Sequence, residues 1–148
     1  MKRSAHLMFG IGMSVLAGFT LPLEKTVLVV LGGLVGSTAP DMDLRFRHRV
    51  FLHNITSLIV ISITIYVILT LFGAPPDLLK PVLAGFIIGY ISHILGDLIT
   101  YRGVALFYPF SKRMFRTPLG SSDSLVVNLI GYMLGFIMII LFIYMKLS

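Results

Sequence analysis

Five apolar runs, each closed by proline, glycine or a polar loop, constrain this chain more than any other feature. They cover about 4–21, 26–39, 54–72, 81–99 and 125–145. Pro22 ends the first, Pro40 the second, and Gly73-Ala74-Pro75-Pro76 the third; Pro81 sits where a helix tolerates proline, at its start. Crossing the hydrocarbon core of a bilayer takes about 20 residues. Four runs are long enough, and the second is short: tilted, sheltered by neighbours, or re-entrant. Its Gly32-Gly33 and Gly36 permit close helix packing. Only 12% of the 148 residues are charged and 57% are hydrophobic. A water-soluble domain carries about a quarter charged residues, so lipid must wet much of this surface. The expected fold is all-α: a polytopic transmembrane helix bundle of about five membrane helices, with residues 1–148 forming one integral membrane domain.

Met1-Lys2-Arg3 before an apolar run also fits a signal peptide. Four further runs follow, and His6 lies just inside the first, so it is read as a retained helix. Lys and Arg set the orientation. With the N-terminus cytoplasmic, that side holds Lys2, Arg3, Arg45, Arg47, Arg49, Arg102, Lys112, Arg113 and Arg116, against Lys25, Lys80 and Lys146 on the other. Nine against three predicts a multi-pass cell-membrane protein with its N-terminus inside and its C-terminus outside. The net charge of +6 therefore reads as orientation signal and headgroup contact, not as a nucleic-acid surface.

On this topology seven polar residues fall at the cytoplasmic face. His6 opens helix 1; Asp41, Asp43, His48 and His53 lie between helices 2 and 3; His93 and Asp97 occupy the last turns of helix 4. Ionisable groups at membrane depth are costly and are usually paired or functional. His93 and Asp97 stand at i, i+4, on one helix face, where both can reach one ion or the carboxylate can orient the imidazole. Asp41 and Asp43 follow Pro40, which breaks the helix and puts two carboxylates on an irregular loop. With no cysteine in the chain, thiolate zinc sites and disulfides are excluded. Nitrogen and oxygen donors suit a divalent metal, zinc first, with manganese or iron as alternatives. Seven donors exceed one tetrahedral shell of four, and two ions sharing a carboxylate use them more naturally. Paired metals can activate water and stabilise an in-line displacement at phosphorus. The bland readings are an interfacial hydrogen bond for His6, helix capping for Asp41 and Asp43, and a headgroup-binding stretch for His48.

The order Ala39-Pro40-Asp41-Met42-Asp43, His48-Arg49, His53, then Gly89-Tyr90-Ile91-Ser92-His93-Ile94-Leu95-Gly96-Asp97 and Tyr108-Pro109-Phe110-Ser111 resembles the inner-membrane metal-dependent hydrolases of the YdjM type, some of them LexA-regulated. Ala39 stands for the pattern's leucine, Val50 for glycine, Leu52 for threonine and Asn54 for serine. The resemblance implies a phospholipase-like hydrolase. The histidine-x-x-x-aspartate element is also similar to one in zinc-dependent phospholipase C and related nucleases, an analogy only.

The leading expectation is a metal-dependent phosphoester hydrolase acting on a lipid or small-molecule phosphoester at the cytoplasmic membrane surface. Asp41, Asp43, His93 and Asp97 are its expected catalytic residues. His6, Asp41, Asp43, His48, His53, His93 and Asp97 are the metal ligands, and Arg49 and Arg102 grip phosphate with paired hydrogen bonds. Both arginines also serve as orientation signals. The aromatic and cationic residues of 103–120 suit an interfacial segment, and Ser121-Ser122-Asp123 helps start helix 5. A metal or proton transporter is the first rival; it would need polar groups at several depths. A non-catalytic membrane anchor is the second.

Overall fold

The computed structural model describes residues 1–43, 51–117 and 119–148. Its architecture is five α-helices: α1 (Arg3–Ala17), α2 (Leu23–Thr38), α3 (Ile55–Leu71), α4 (Pro76–Leu98) and α5 (Leu125–Leu147), with a 3-10 turn at Ala39–Asp43 after α2. No strand is present among the described residues. Two helices, α4 and α5, are long and apolar enough to cross a membrane. At 23 residues each they reach about 35 Å, past the ~30 Å hydrocarbon core. The others have 15, 16 and 17 residues.

The boundaries depart from expectation most at α4, which starts at Pro76 rather than near Pro81. Pro76 takes the first helical position, where a missing N–H costs nothing. Pro81, one turn further in, gives up a single backbone hydrogen bond, while Leu79 and Pro81 are buried. The segment after Pro40 is also more regular than a loop, since it continues α2 as a tighter 3-10 turn.

Glycine decides how the helices meet. Along α2 and α4, a Cβ on Gly36 would lie 2.0 Å from the Phe86 carbonyl oxygen, and one on Gly85 1.9 Å from that of Val29. Only bare backbone fits there, so these two helices run side by side at small-residue spacing. The pairing 29 with 85, 33 with 89 and 37 with 93 makes them parallel. By contrast α1 runs antiparallel to α2: Thr26 Oγ1 donates to the Gly18 carbonyl at 2.9 Å, and Gly10 faces Ser37. On its other side α1 lies parallel to α5, with the Lys2 amide on Asn128 Oδ1 at 2.7 Å and Gly12 against Gly135.

Helix α3 leans on α4, where Leu58, Ile61 and Ile65 pack with Phe86, Tyr90 and Ile94. Its remaining surface, including Ile59, Ile63, Val67 and Leu71, is exposed and apolar. Asn54 caps it, accepting the Ser57 amide at 2.8 Å and donating to the Phe51 carbonyl at 2.7 Å. Helix α5 starts otherwise than expected. Ser124 precedes it without a side-chain cap, and Asn128 inside the helix donates to the Ser122 and Ser124 carbonyls. Between α4 and α5 the chain folds back over the end of the bundle. There Val104 and Phe115 exchange backbone hydrogen bonds at 2.9 and 2.8 Å, and Leu119 donates to the Ile99 carbonyl at 3.0 Å.

Candidate metal centre

At one end of the bundle, four separate segments deliver polar side chains to one point. His6 comes from the first turns of α1, Asp41 from the 3-10 turn, His53 from just before α3, and His93 and Asp97 from the last turns of α4. All three imidazoles and Asp97 are almost fully buried. The Asp41 side chain, 24% exposed, faces solvent. His48 and Arg49 lie outside the described residues, and of Asp43 only the backbone is described. Arg102 is exposed on the turn after α4.

His93 is the hub. Its Nδ1 lies 2.7 Å from the Ser37 carbonyl oxygen. A carbonyl can only accept, so Nδ1 carries the hydrogen and, in the neutral ring, Nε2 presents a lone pair. That Nε2 lies 3.2 Å from His53 Nε2. Carboxylates flank this pair on both sides. Asp41 Oδ1 is 3.5 Å from His93 Nε2 and 3.9 Å from His53 Nε2. Asp97 Oδ2 is 3.9 and 3.5 Å from the same two atoms.

The second oxygen of Asp97 faces the other way. Oδ1 accepts from the Met1 amino nitrogen at 2.7 Å and lies 3.3 Å from His6 Nε2. The His6 ring stacks on His93, centroids 3.8 Å apart and planes 7° from parallel. Its Nδ1 is buried with no hydrogen-bond partner among the described residues. Asp97 therefore turns one oxygen to each of two donor groups, His6–His93–Asp97 and Asp41–His53–His93.

The spacing fits a metal ion. Zinc-like ions hold nitrogen and oxygen at about 2.0–2.2 Å, so neighbouring tetrahedral ligands sit about 3.3–3.6 Å apart. Within Asp41–His53–His93 the separations of 3.2, 3.5 and 3.9 Å are close to those of one shell, and Asp97 Oδ2 lies 3.5 Å from His53 Nε2. Buried donors here could hold a metal ion; their chemistry, nitrogen and carboxylate oxygen, does not by itself select which one.

Three contacts that hold the donors carry little sign in the sequence. The Ser37 carbonyl sets the His93 tautomer. The Tyr90 hydroxyl donates to the Leu52 carbonyl, one residue before His53. Asn54, one residue after it, caps α3. Tyr90 and Asn54 are polar side chains in apolar surroundings, which is the signal that could have found them; a backbone carbonyl leaves none.

A family model described as YdjM inner membrane protein matches residues 1–148. The inner membrane proteins YdjM of Escherichia coli (strain K12) and of Shigella flexneri are each 36% identical over 75 residues. That stretch is 50% of this chain and 36% of each relative, so the alignment spans about a third of their length. No solved structure matches.

Proposed function

The chain belongs to the YdjM inner membrane protein family, and from that premise we propose that it is a membrane-embedded, metal-dependent phosphoester hydrolase working on lipid at the cytoplasmic face. The observation that carries this reading is the buried His53–His93 pair with a carboxylate on either side. Four polar donors are not gathered inside an apolar bundle without a compensating partner, and a divalent ion, zinc first, supplies one. When bound, such an ion would bring Lewis acidity, polarising a phosphoryl oxygen and acidifying water.

The chain's own groups have distinct tasks. His93 is held in one tautomer by Ser37 and cannot turn away. Asp97 places one oxygen in each donor group and keeps them in register. Asp41, partly exposed, gives the buried set its contact with water and is placed to pass a proton outward. Arg102, and Arg49 beyond the described residues, are the proposed phosphate grips. The transporter reading has less support. Buried hydroxyls do lie deeper, at Ser14 and Thr26, but Ser14 Oγ packs where a Cβ on Gly33 would come within 1.9 Å, a closely filled seam without carboxylates or imidazoles.

The alternating helix directions support five membrane traverses, and the lysine and arginine bias supports an N-terminus inside. The three shorter helices cross with help from local bilayer thinning and long flanking side chains. The deciding experiment combines metal analysis of the purified protein with headgroup or phosphate release from a phospholipid panel. The expected result is bound divalent metal and metal-dependent release, both lost in His93→Ala. Metal uptake into proteoliposomes without phosphate release would overturn the hydrolase in favour of transport.

A further inference from the structure

A second feature meets the candidate site from the side. A cavity of about 300 Å³ lies between α1, α4 and α5 at the same end of the bundle. Its inner wall is Phe9, Met1 and Gly96, the residue just before Asp97, and its outer members Leu95, Leu119 and Leu134 are 42%, 55% and 41% exposed. It therefore opens through apolar side chains of α4, α5 and the connection between them. Thr117 is its one polar lining side chain, and none is charged.

The wall between cavity and site is soft. The Met1 side chain fills the gap between two helices that carry glycine there: a Cβ on Gly96 would lie 2.4 Å from Met1 Cε and 3.0 Å from His6 Cε1, and one on Gly131 3.0 Å from Met1 Sδ. Methionine is an adaptable filler. The flexible Met1 thioether, beside the bare Gly96 backbone, separates the cavity from the Asp97 carboxylate, whose Oδ1 the Met1 nitrogen touches.

We infer that this cavity seats one acyl chain of a membrane lipid whose phosphate end lies at the Asp97 side. The inference rests on the lipid phosphoester reading for the position of the headgroup. The cavity is lined as hydrocarbon requires, and its mouth faces the medium that supplies the chain. A methylene occupies roughly the space of a water, about 30 Å³, so the volume takes a segment of about ten methylenes.

The test is photolabelling of the full-length protein in vesicles containing a phospholipid with a diazirine in its acyl chain, with labelled residues located by mass spectrometry. The outward face of α3, Ile63 and Val67, reports bulk lipid. Label should concentrate on Phe9 and the 130–134 stretch of α5 above the α3 level, and Leu134→Trp, a change at the exposed mouth, should lower it there by about tenfold while leaving α3 unchanged. Label on the cavity no denser than on α3 overturns the inference, whether the space is closed by a second copy or filled by nothing specific. A wild-type protein that cleaves no phosphoester sinks the hydrolase reading instead, and the labelling pattern still decides the cavity. With an active protein, Leu134→Trp should slow turnover of long-chain lipid by about tenfold and leave a chainless phosphoester untouched.

Discussion

The two ends of the bundle handle charge in opposite ways. At the far end, Lys25 and Asp77 form a 3.3 Å ion pair with side chains 38% and 85% exposed. At the near end, Asp97 is 3% exposed at the side chain and meets the Met1 ammonium and His6 at 2.7 and 3.3 Å. Exposed pairs contribute about 0–1 kcal/mol, because water screens them and ordering two side chains costs entropy. Buried ones first lose hydration, a cost that attraction alone often fails to recover. A chain keeps such a cluster for something other than stability. The contrast sets the near end, where buried donors could hold a metal ion, apart from the far end, which is ordinary surface.

The largest expected break in that contrast comes from Asp97→Ala. It leaves His6 and His53 without their shared carboxylate, so bound metal should vanish and stability should fall by about 3–5 kcal/mol, the usual result of removing one partner from a buried pair. Metal analysis with thermal unfolding in detergent checks both; retained metal at wild-type level would refute the site. Gly36→Leu should come next. Its side chain would start 2.0 Å from the Phe86 carbonyl and force α2 away from α4, costing about 1–3 kcal/mol as overpacking does. Because Ser37 and Asp41 would move with α2, metal should weaken too, and unfolding measured with and without added zinc separates the effects. Tyr90→Phe keeps the ring and deletes the hydroxyl that holds Leu52. Stability should drop by about 1 kcal/mol, whereas metal affinity should fall about 10–100-fold, as it does when supporting hydrogen bonds around ligands are lost; competition with a metallochromic chelator reads the difference. The smallest effect belongs to Lys25→Ala, which should shift unfolding by less than about 1 kcal/mol and leave metal content alone. A loss of metal there would erase the distinction between the ends.

Much of this was legible in the sequence, for reasons that can be named. Apolar runs ended by proline or by polar loops mark helices, because proline costs a helix interior a hydrogen bond and a clash, so five helices were readable although Pro81, inside α4, misplaced the start of that helix. Successive helices that reverse direction carry His6, Asp41, His53, His93 and Asp97 to one end, and their gathering follows from order alone. The roles of Ser37 and Leu52 did not follow, since both act through carbonyls that every residue possesses. Asn54 stood out only as a departure from the family pattern, yet that departure is a working helix cap. At Ser121-Ser122-Asp123 the expectation that short polar residues start α5 did not yield a side-chain cap; the segment is tied to the helix instead by Asn128, which donates from inside α5 to the Ser122 and Ser124 carbonyls.

The glycine seam between α2 and α4 has a consequence for how an ion would be captured. It makes the pair one stiff strut, so Ser37, Asp41, His93 and Asp97 travel as a preassembled claw. His53 rides instead on α3, braced chiefly against α4 and pinned beside the claw by the Tyr90 hydroxyl. Loading would then need no rearrangement of the fold: Asp41, His93 and Asp97 wait on the strut, and the His53 imidazole, already held beside them, completes the set from a separate helix whose outer flank is apolar and exposed.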